Sequence, residues 1–490
     1  MRSLFQKKED SPVYVAPTQT VPTNTVAATP TEIRVVAVQK SPTRAVKVAR
    51  TPLENRVRAR RMALATLAVS LAFGGRWYAA NVEPTYPTGQ GVYPAQNAAP
   101  KWGAMKEPNA ATFYMAATDA LDLPAIKKSL EGVEGGIRYL SDKPIAVQKN
   151  AVNLAQLSLT LLRQGMTYPY IADYQTNYFR SNPVTATGLE RPSPSFIPIR
   201  ETARLLAAEA RVRASENNHA GAIESSLDAV RLGTDVGQGH TLIDGMIGVL
   251  LQSIGAREGV RHVAHLSASE ARIATARLET ILANEPSFAH IITADRDTAY
   301  EILQSVHNVC TLSGVKSWYT GEPNPRLSGV KGVIAYNALL VYSTKQGLAN
   351  DVAVAYDSIL TRVKLPYQQT KNLGEITPSA NPLVRELAPS HPRAFRQTTL
   401  IAAWNRVLLT KLAAQAYRAE HAGAFPASLS VLTQGAKPYL KAVPTDPFSM
   451  TGTEPLRYDN VTGDIYSVGE NGLDDGNVSG SDDNSDLFAK

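Results

Sequence analysis

Cysteine is almost absent from this chain. Cys310 is the only one in 490 residues. That excludes an intramolecular disulfide, a thiolate zinc site and an iron–sulfur cluster, each of which needs several cysteines. Charge is also sparse, at 19%, and its basic excess is local. Residues 1–61 hold 12 Lys/Arg against 4 Asp/Glu, whereas residues 459–490 hold 8 acids against one lysine. The rest of the chain therefore has no basic surplus to draw it to nucleic acid, and a nucleic-acid partner is not expected. Signature motifs of catalysis are missing too: there is no H-E-x-x-H and no G-x-S-x-G elbow. The stretch TDVGQGHT, 234–241, lacks the first glycine and the lysine of a phosphate-binding loop and follows a helical pattern, so it reads as a helix-to-helix turn. The 44% hydrophobic content is that of a globular protein, and the length predicts two or three folded units.

Residues 1–61, rich in Pro, Thr, Val and Ala, read as a disordered basic arm. Its cluster RVRARR runs directly into MALATLAVSLAFGG, an uncharged run of 14 residues over 62–75, and Arg76, Trp77 and Tyr78 follow. A transmembrane helix over 62–82 is expected, with Arg76 snorkelling, an aromatic belt and a cytoplasmic N-terminus set by the flanking arginines. The run is shorter than the roughly 20 apolar residues of a usual span. Two other readings stay open: a cleaved signal peptide and a buried helix of a soluble protein. Residues 83–110 read as a Pro/Gly/Ala-rich linker.

Residues 111–392 form the expected irregular α-helical domain. A period near 3.6 runs through 111–121, 144–164, 199–216, 219–235, 241–265, 267–284, 287–310 and 330–362. Pro124 and Pro144 suit helix starts, and Ser267 with Glu270 forms a capping-box pattern. The pair 199–216 and 219–235 reads as a helical hairpin, and the Pro-rich stretch 365–392 as a surface connection. His262 and His265, three apart, could face one metal or could lie on a half-exposed helix face. Cys310 reads as a small buried hydrophobe. Asp244, Asp295, Arg296 and Asp297 read as paired charges on helices.

The last hundred residues open with a long helix over 395–421, whose Leu400, Ile401, Trp404, Val407, Leu408, Leu412 and Tyr417 make one apolar stripe. AQAYRAEHAGAFPASLSVL, PYLKAVPTDPF and PLRYDNVTGDIYSVGENGLDDG then follow in order. Residues 393–490 thereby resemble the C-terminal part of the major pseudopilins of type II secretion. The matching residues include Tyr417, Gly423, Pro426, Tyr439, Leu440, Pro444, Asp446, Pro447, Phe448, Tyr458, Ser467, Gly469, Asn471 and Gly472. The resemblance implies a small α+β module of one long helix and short antiparallel hairpins, placed in the bacterial envelope. It implies calcium in the acidic loop, at Asn471, Asp483 and Asp486. A solvated acidic tail is the competing reading of that loop. About 390 residues precede the pilin-like helix, which carries Arg406, Lys411 and Arg418, so the module reads as a folded cap rather than a fibre subunit.

The expectation is a mainly α protein, anchored in the cell membrane by one span, with its helical domain and pseudopilin-like module outside. Its role would be structural or protein-binding, with envelope proteins and the membrane as partners. An extracytoplasmic hydrolase using a groove in the helical domain is the alternative.

Overall fold

The computed structural model describes residues 52–81, 109–130, 136–170, 196–239, 241–308, 344–371, 373, 382–388, 391–476 and 487–488. The mainly α class holds. Residues 1–69 and 70–490 are two separate units. The first helix, α1 (Pro52–Asn81), contains the apolar run. Val57, Met62, Leu64, Leu67, Val69 and Leu71 along it are all exposed. Among the described residues, no helix is long and apolar enough to cross a membrane by hydropathy alone.

Helices then follow as α2 (Ala110–Asp119), α3 (Leu123–Ser129), a 3-10 segment (Gly136–Asp142), α4 (Ile145–Leu154) and α5 (Gln156–Gly165). The single helix expected over 144–164 is thus divided at Ala155. Asp122 caps α3 by accepting from Ala125 N, with Pro124 in the first turn. Next come α6 (Phe196–Ser215), α7 (His219–Gly237) and α8 (Leu242–Val260). The expected hairpin is α6 and α7, turning through Asn217 at φ 60°. Within the stretch 234–241, Thr234–Gly237 is the last turn of α7, and Thr241 with Asp244 opens α8 in a capping box.

After a 3-10 turn (Val263–His265), α9 (Ala268–Leu282) starts on the Ser267–Glu270 capping box. α10 (Phe288–Asn308), α11 (Lys345–Val363) and the short α12 (Tyr367–Thr370) and α13 (Pro382–Leu387) lead to α14 (Pro392–Glu420). Cys310 and residues 330–343 lie outside the described residues. α14 ends where Gly423 N returns to the Arg418 carbonyl, with Ala422 and Gly423 both at positive φ. Strands β1 (Arg457–Tyr458), β2 (Ile465–Ser467) and β3 (Leu487–Phe488) form one antiparallel sheet in the order β1-β2-β3, with Arg457 opposite Tyr466 and Ser467 opposite Leu487.

Helices α7 and α8 meet backbone to backbone. A Cβ at Gly248 would sit 2.5 Å from Gly237 Cα and 2.6 Å from Gly233 O. The two backbones touch there only because neither side carries a side chain. One core joins α2–α5 to α6 through Tyr114, Ile126, Leu159, Leu162, Leu205 and Leu206. A second runs through α7, α8 and α9 into α14 and onward to Leu429, Leu432, Leu440, Leu456 and Ile465. The expected boundary at 392/393 coincides with the start of α14, and this second core is continuous across it. A third joins α10, α11, α13 and the start of α14 around Ile292, Val352, Tyr356 and Val384.

The stretch 365–392 is not merely a surface connection. Tyr367, Gln368, Val384 and His391 are buried. Gln368 Nε2 donates to the carbonyls of Phe448 (2.9 Å) and Glu470 (3.1 Å). Tyr367 packs edge-on against Phe448. Composition marks such a Pro-rich polar stretch as loop, but only the arrival of the C-terminal module gives its apolar side chains something to cover.

Buried charges tie the helices together. Arg163 on α5 donates to Asp228 on α7 through Nε (2.8 Å) and to Glu209 on α6 through both Nη groups. Arg213 and Ser225 also bond Glu209, and Arg277 on α9 reaches Asp228. Glu209 and Asp228 are each 4% exposed. Burial pushes the Glu209 carboxyl up, but the Arg163 hydrogen bond and charge outweigh it and hold it below its usual value.

Candidate functional site

A cavity of 340 Å³ opens between the 3-10 segment, α4, α6 and the end of α8. Lys143, Gln148, Arg211, Glu258, Arg261 and His262 line it. Arg211, on the last turns of α6, spans the floor. Its Nε donates to Glu258 Oε2 at 2.9 Å and its Nη1 donates to the Ser141 carbonyl. Glu258 Oε1 lies 3.2 Å from His262 Nε2, one helical turn further along. Burial raises the Glu258 carboxyl, but the His262 hydrogen bond and the Arg211 charge outweigh it and keep it ionised below its usual value. Glu258 thus holds one partner on each oxygen, and it orients the imidazole.

Gln148 is 2% exposed. Its Nε2 donates to the carbonyls of Lys143 (2.7 Å) and Ser141 (3.3 Å), and its Oε1 has no partner. Lys143 and Arg261 stand at the rim and form no ion pair among the described residues. Behind the cleft, His219 at the start of α7 stacks on His265 with ring centroids 4.2 Å apart, and His262 lies 6.2 Å from His219. Partial burial, with His265 and His262 close by, lowers the His219 pKa.

The expected half-exposed face carrying both His262 and His265 is corrected in part. His262 is buried against Glu258, whereas His265 is exposed on the 3-10 turn, because the helix ends at Val260. Among the described residues, no group of three His, Cys, Asp or Glu converges as a cation site. Asp244 caps α8, and Asp295 accepts from Leu242 N and from Tyr356 OH, so these charges act in helix placement.

Of the implied calcium positions, Asn471 is described, whereas Asp483 and Asp486 lie outside the described residues. Asn471 Oδ1 accepts from Leu473 N at 3.0 Å, and its amide donates to Asp475. The Lys371 ammonium sits on the carbonyls of Glu470 (2.8 Å) and Asn471 (3.4 Å). A cation is therefore already present on the loop carbonyls, so the described half of the loop does not by itself make a calcium cage. Asp446, 1% exposed, accepts from Phe448 N (2.9 Å), Ser467 Oγ (2.7 Å) and Val468 N (2.8 Å). It thereby joins the Asp-Pro-Phe turn to the end of β2. Tyr458 OH donates to the Pro426 carbonyl.

Gln148, Arg211, Glu258 and the rim cations are absent from the sequence reading. The i, i+4 pair Glu258 and His262 is the one local signal that points to them. Fold and cleft together define a mainly α protein with a polar pocket in its helical part and a small sheet at its end. No family model, no curated protein and no solved structure matches the chain.

Proposed function

We propose that the chain is a membrane-anchored envelope protein with a structural or protein-binding role, its pseudopilin-like module serving as a fixed cap. The burial of α14 carries this reading. Ile401, Val407, Leu408 and Leu412 pack against α8 and α9 within the same chain. A helix so occupied has no free apolar face to offer a fibre of copies. The anchor is supported by Met62, Leu64, Leu67, Val69 and Leu71, five exposed large apolar side chains of α1 that follow the RVRARR cluster. Fractionation with protease protection of intact cells tests the proposal: the C-terminal hundred residues should be membrane-retained and reachable from outside. Recovery of that region as soluble cytoplasmic protein refutes it. Calcium at Asn471, Asp483 and Asp486 belongs to the same reading, as a second cation beside Lys371.

The cleft favours one other reading, the hydrolase. A buried His262 oriented by Glu258 beside a cavity is an arrangement that suits proton transfer. Turnover of chromogenic esters or glycosides by the wild type and its loss in His262→Ala would support it; no turnover by the wild type would remove it.

A further inference from the structure

We propose that the cleft between α4, α6 and α8 binds a small hydroxylated organic anion, of the size of a sugar phosphate or sugar acid. Three independent features point there. The first is charge. Glu258 is neutralised by Arg211, and Lys143 and Arg261 face the same opening without acidic partners, against the single rim carboxylate of Asp142. Arg211 Nη2 has no protein partner among the described residues. The surplus is cationic and the pocket takes an anion.

The second feature is Gln148. Its amide cannot be turned round, because the oxygen would then face the carbonyls of Ser141 and Lys143 that now receive its N–H groups. The buried Oε1 is therefore fixed as an acceptor, and it lacks a donor. A buried acceptor is rarely left so, and what completes it must bring an O–H or N–H. Third, 340 Å³ is within the range of small-molecule pockets and accommodates a monosaccharide with one anionic group. The cleft stands whether or not the 62–82 helix lies in lipid, so its failure and the failure of the anchored reading are separable.

Titration calorimetry on the full-length chain at neutral pH, with glucose 6-phosphate, glucuronate, sulfate and glucose as probes, tests the proposal. Sulfate carries the charge without a donor, and glucose carries donors without charge. One of the two sugar anions should bind about 10-fold or more tighter than either control, the worth of one hydrogen bond to a buried acceptor. Whichever sugar anion wins identifies the phosphate or the carboxylate as the head group. The double variant Lys143→Ala/Arg261→Ala, at exposed or half-exposed positions, should lose that binding by about 10-fold or more. Gln148→Leu should erase the advantage over sulfate. Should that variant fail to fold, the comparison of probes on the wild type still decides. Absence of binding by both sugar anions at millimolar concentration, equal binding of sulfate, or wild-type affinity in the double variant overturns the proposal.

Discussion

Gly248→Ala should destabilise the helical body, although it places a better helix former in a helix. The new methyl carbon would lie 2.5 Å from Gly237 Cα, 2.6 Å from Gly233 O and 2.7 Å from Gly237 N. Ordinary contact between carbons is about 3.5–4.0 Å, so α7 and α8 must part by roughly 1 Å. All three opposing atoms are backbone, and no rotamer change relieves them. Overpacking of this kind costs about 1–3 kcal/mol or more. The gain in intrinsic helix propensity offsets about 1 kcal/mol. A net loss of about 1–2 kcal/mol is expected, read as a lower urea midpoint in far-ultraviolet circular dichroism with an unchanged slope. Gly259→Ala is the matched control. Its methyl would meet Leu408 Cδ2 at 3.2 Å, a side-chain end that can turn aside, so its midpoint should stay near that of the wild type. Equal midpoints for the two variants would refute the backbone-contact argument.

Arg163→Ala should cost about 3–5 kcal/mol, because it leaves Glu209 and Asp228 buried and undercompensated; urea unfolding measures it. Asp446→Asn turns an acceptor of three hydrogen bonds into a group with a misplaced donor and should cost about 2–3 kcal/mol, with β1 and β2 losing hydrogen-exchange protection first. Stability should fall with acid in two stages. His219, lowered below 6.5 by partial burial and its histidine neighbours, gives stability that is present above pH 6.5 and lost as pH falls through its folded value. Glu209 and Glu258, held below 4.5 because their cation partners outweigh burial, contribute above pH 4.5 and are lost below it. The first stage should be missing from His219→Gln in a midpoint-against-pH series. Lys371→Met should lower the thermal midpoint by taking the ammonium off the Glu470 carbonyl, which then keeps only the Gln368 amide. Added millimolar calcium should raise the wild-type midpoint if Asp483 and Asp486 complete a site; an unchanged midpoint leaves Lys371 as the cation of that loop.

What the sequence makes legible here is what its neighbours along the chain decide. Ser267 and Glu270 announce α9, Pro124 announces α3, and the apolar stripe from Leu400 to Tyr417 announces α14, placed within three residues of its start. The hairpin of β1 and β2 falls where the strand-forming residues of Leu456–Tyr458 and Ile465–Ser467 flank Asn460–Asp464. Long-range meetings are not legible in the same way. Gln148 looks like any polar residue of an amphipathic helix, and its orphan oxygen exists only because Ser141 and Lys143 present their carbonyls to its nitrogen. Arg211 and Glu258 lie 47 residues apart, with no periodicity to link them. Gln368 lies in a stretch whose prolines suggest solvent, yet its amide reads carbonyls 80 and 102 positions away. Asp446 is the intermediate case: the Asp-Pro-Phe pattern marks a turn, and the fold adds that the carboxylate also fastens Ser467 and Val468.

The shared interior of α8, α9 and α14 makes the tail of this polypeptide indispensable to what is translated before it. A premature stop near residue 392 would uncover Leu278 and Ile281 on α9 as well as delete the sheet, leaving a greasy seam on the surviving fragment. Such a product should aggregate or be degraded rather than persist as a shortened protein, and any lineage that gained or lost these last hundred residues must have remade the helices beneath them.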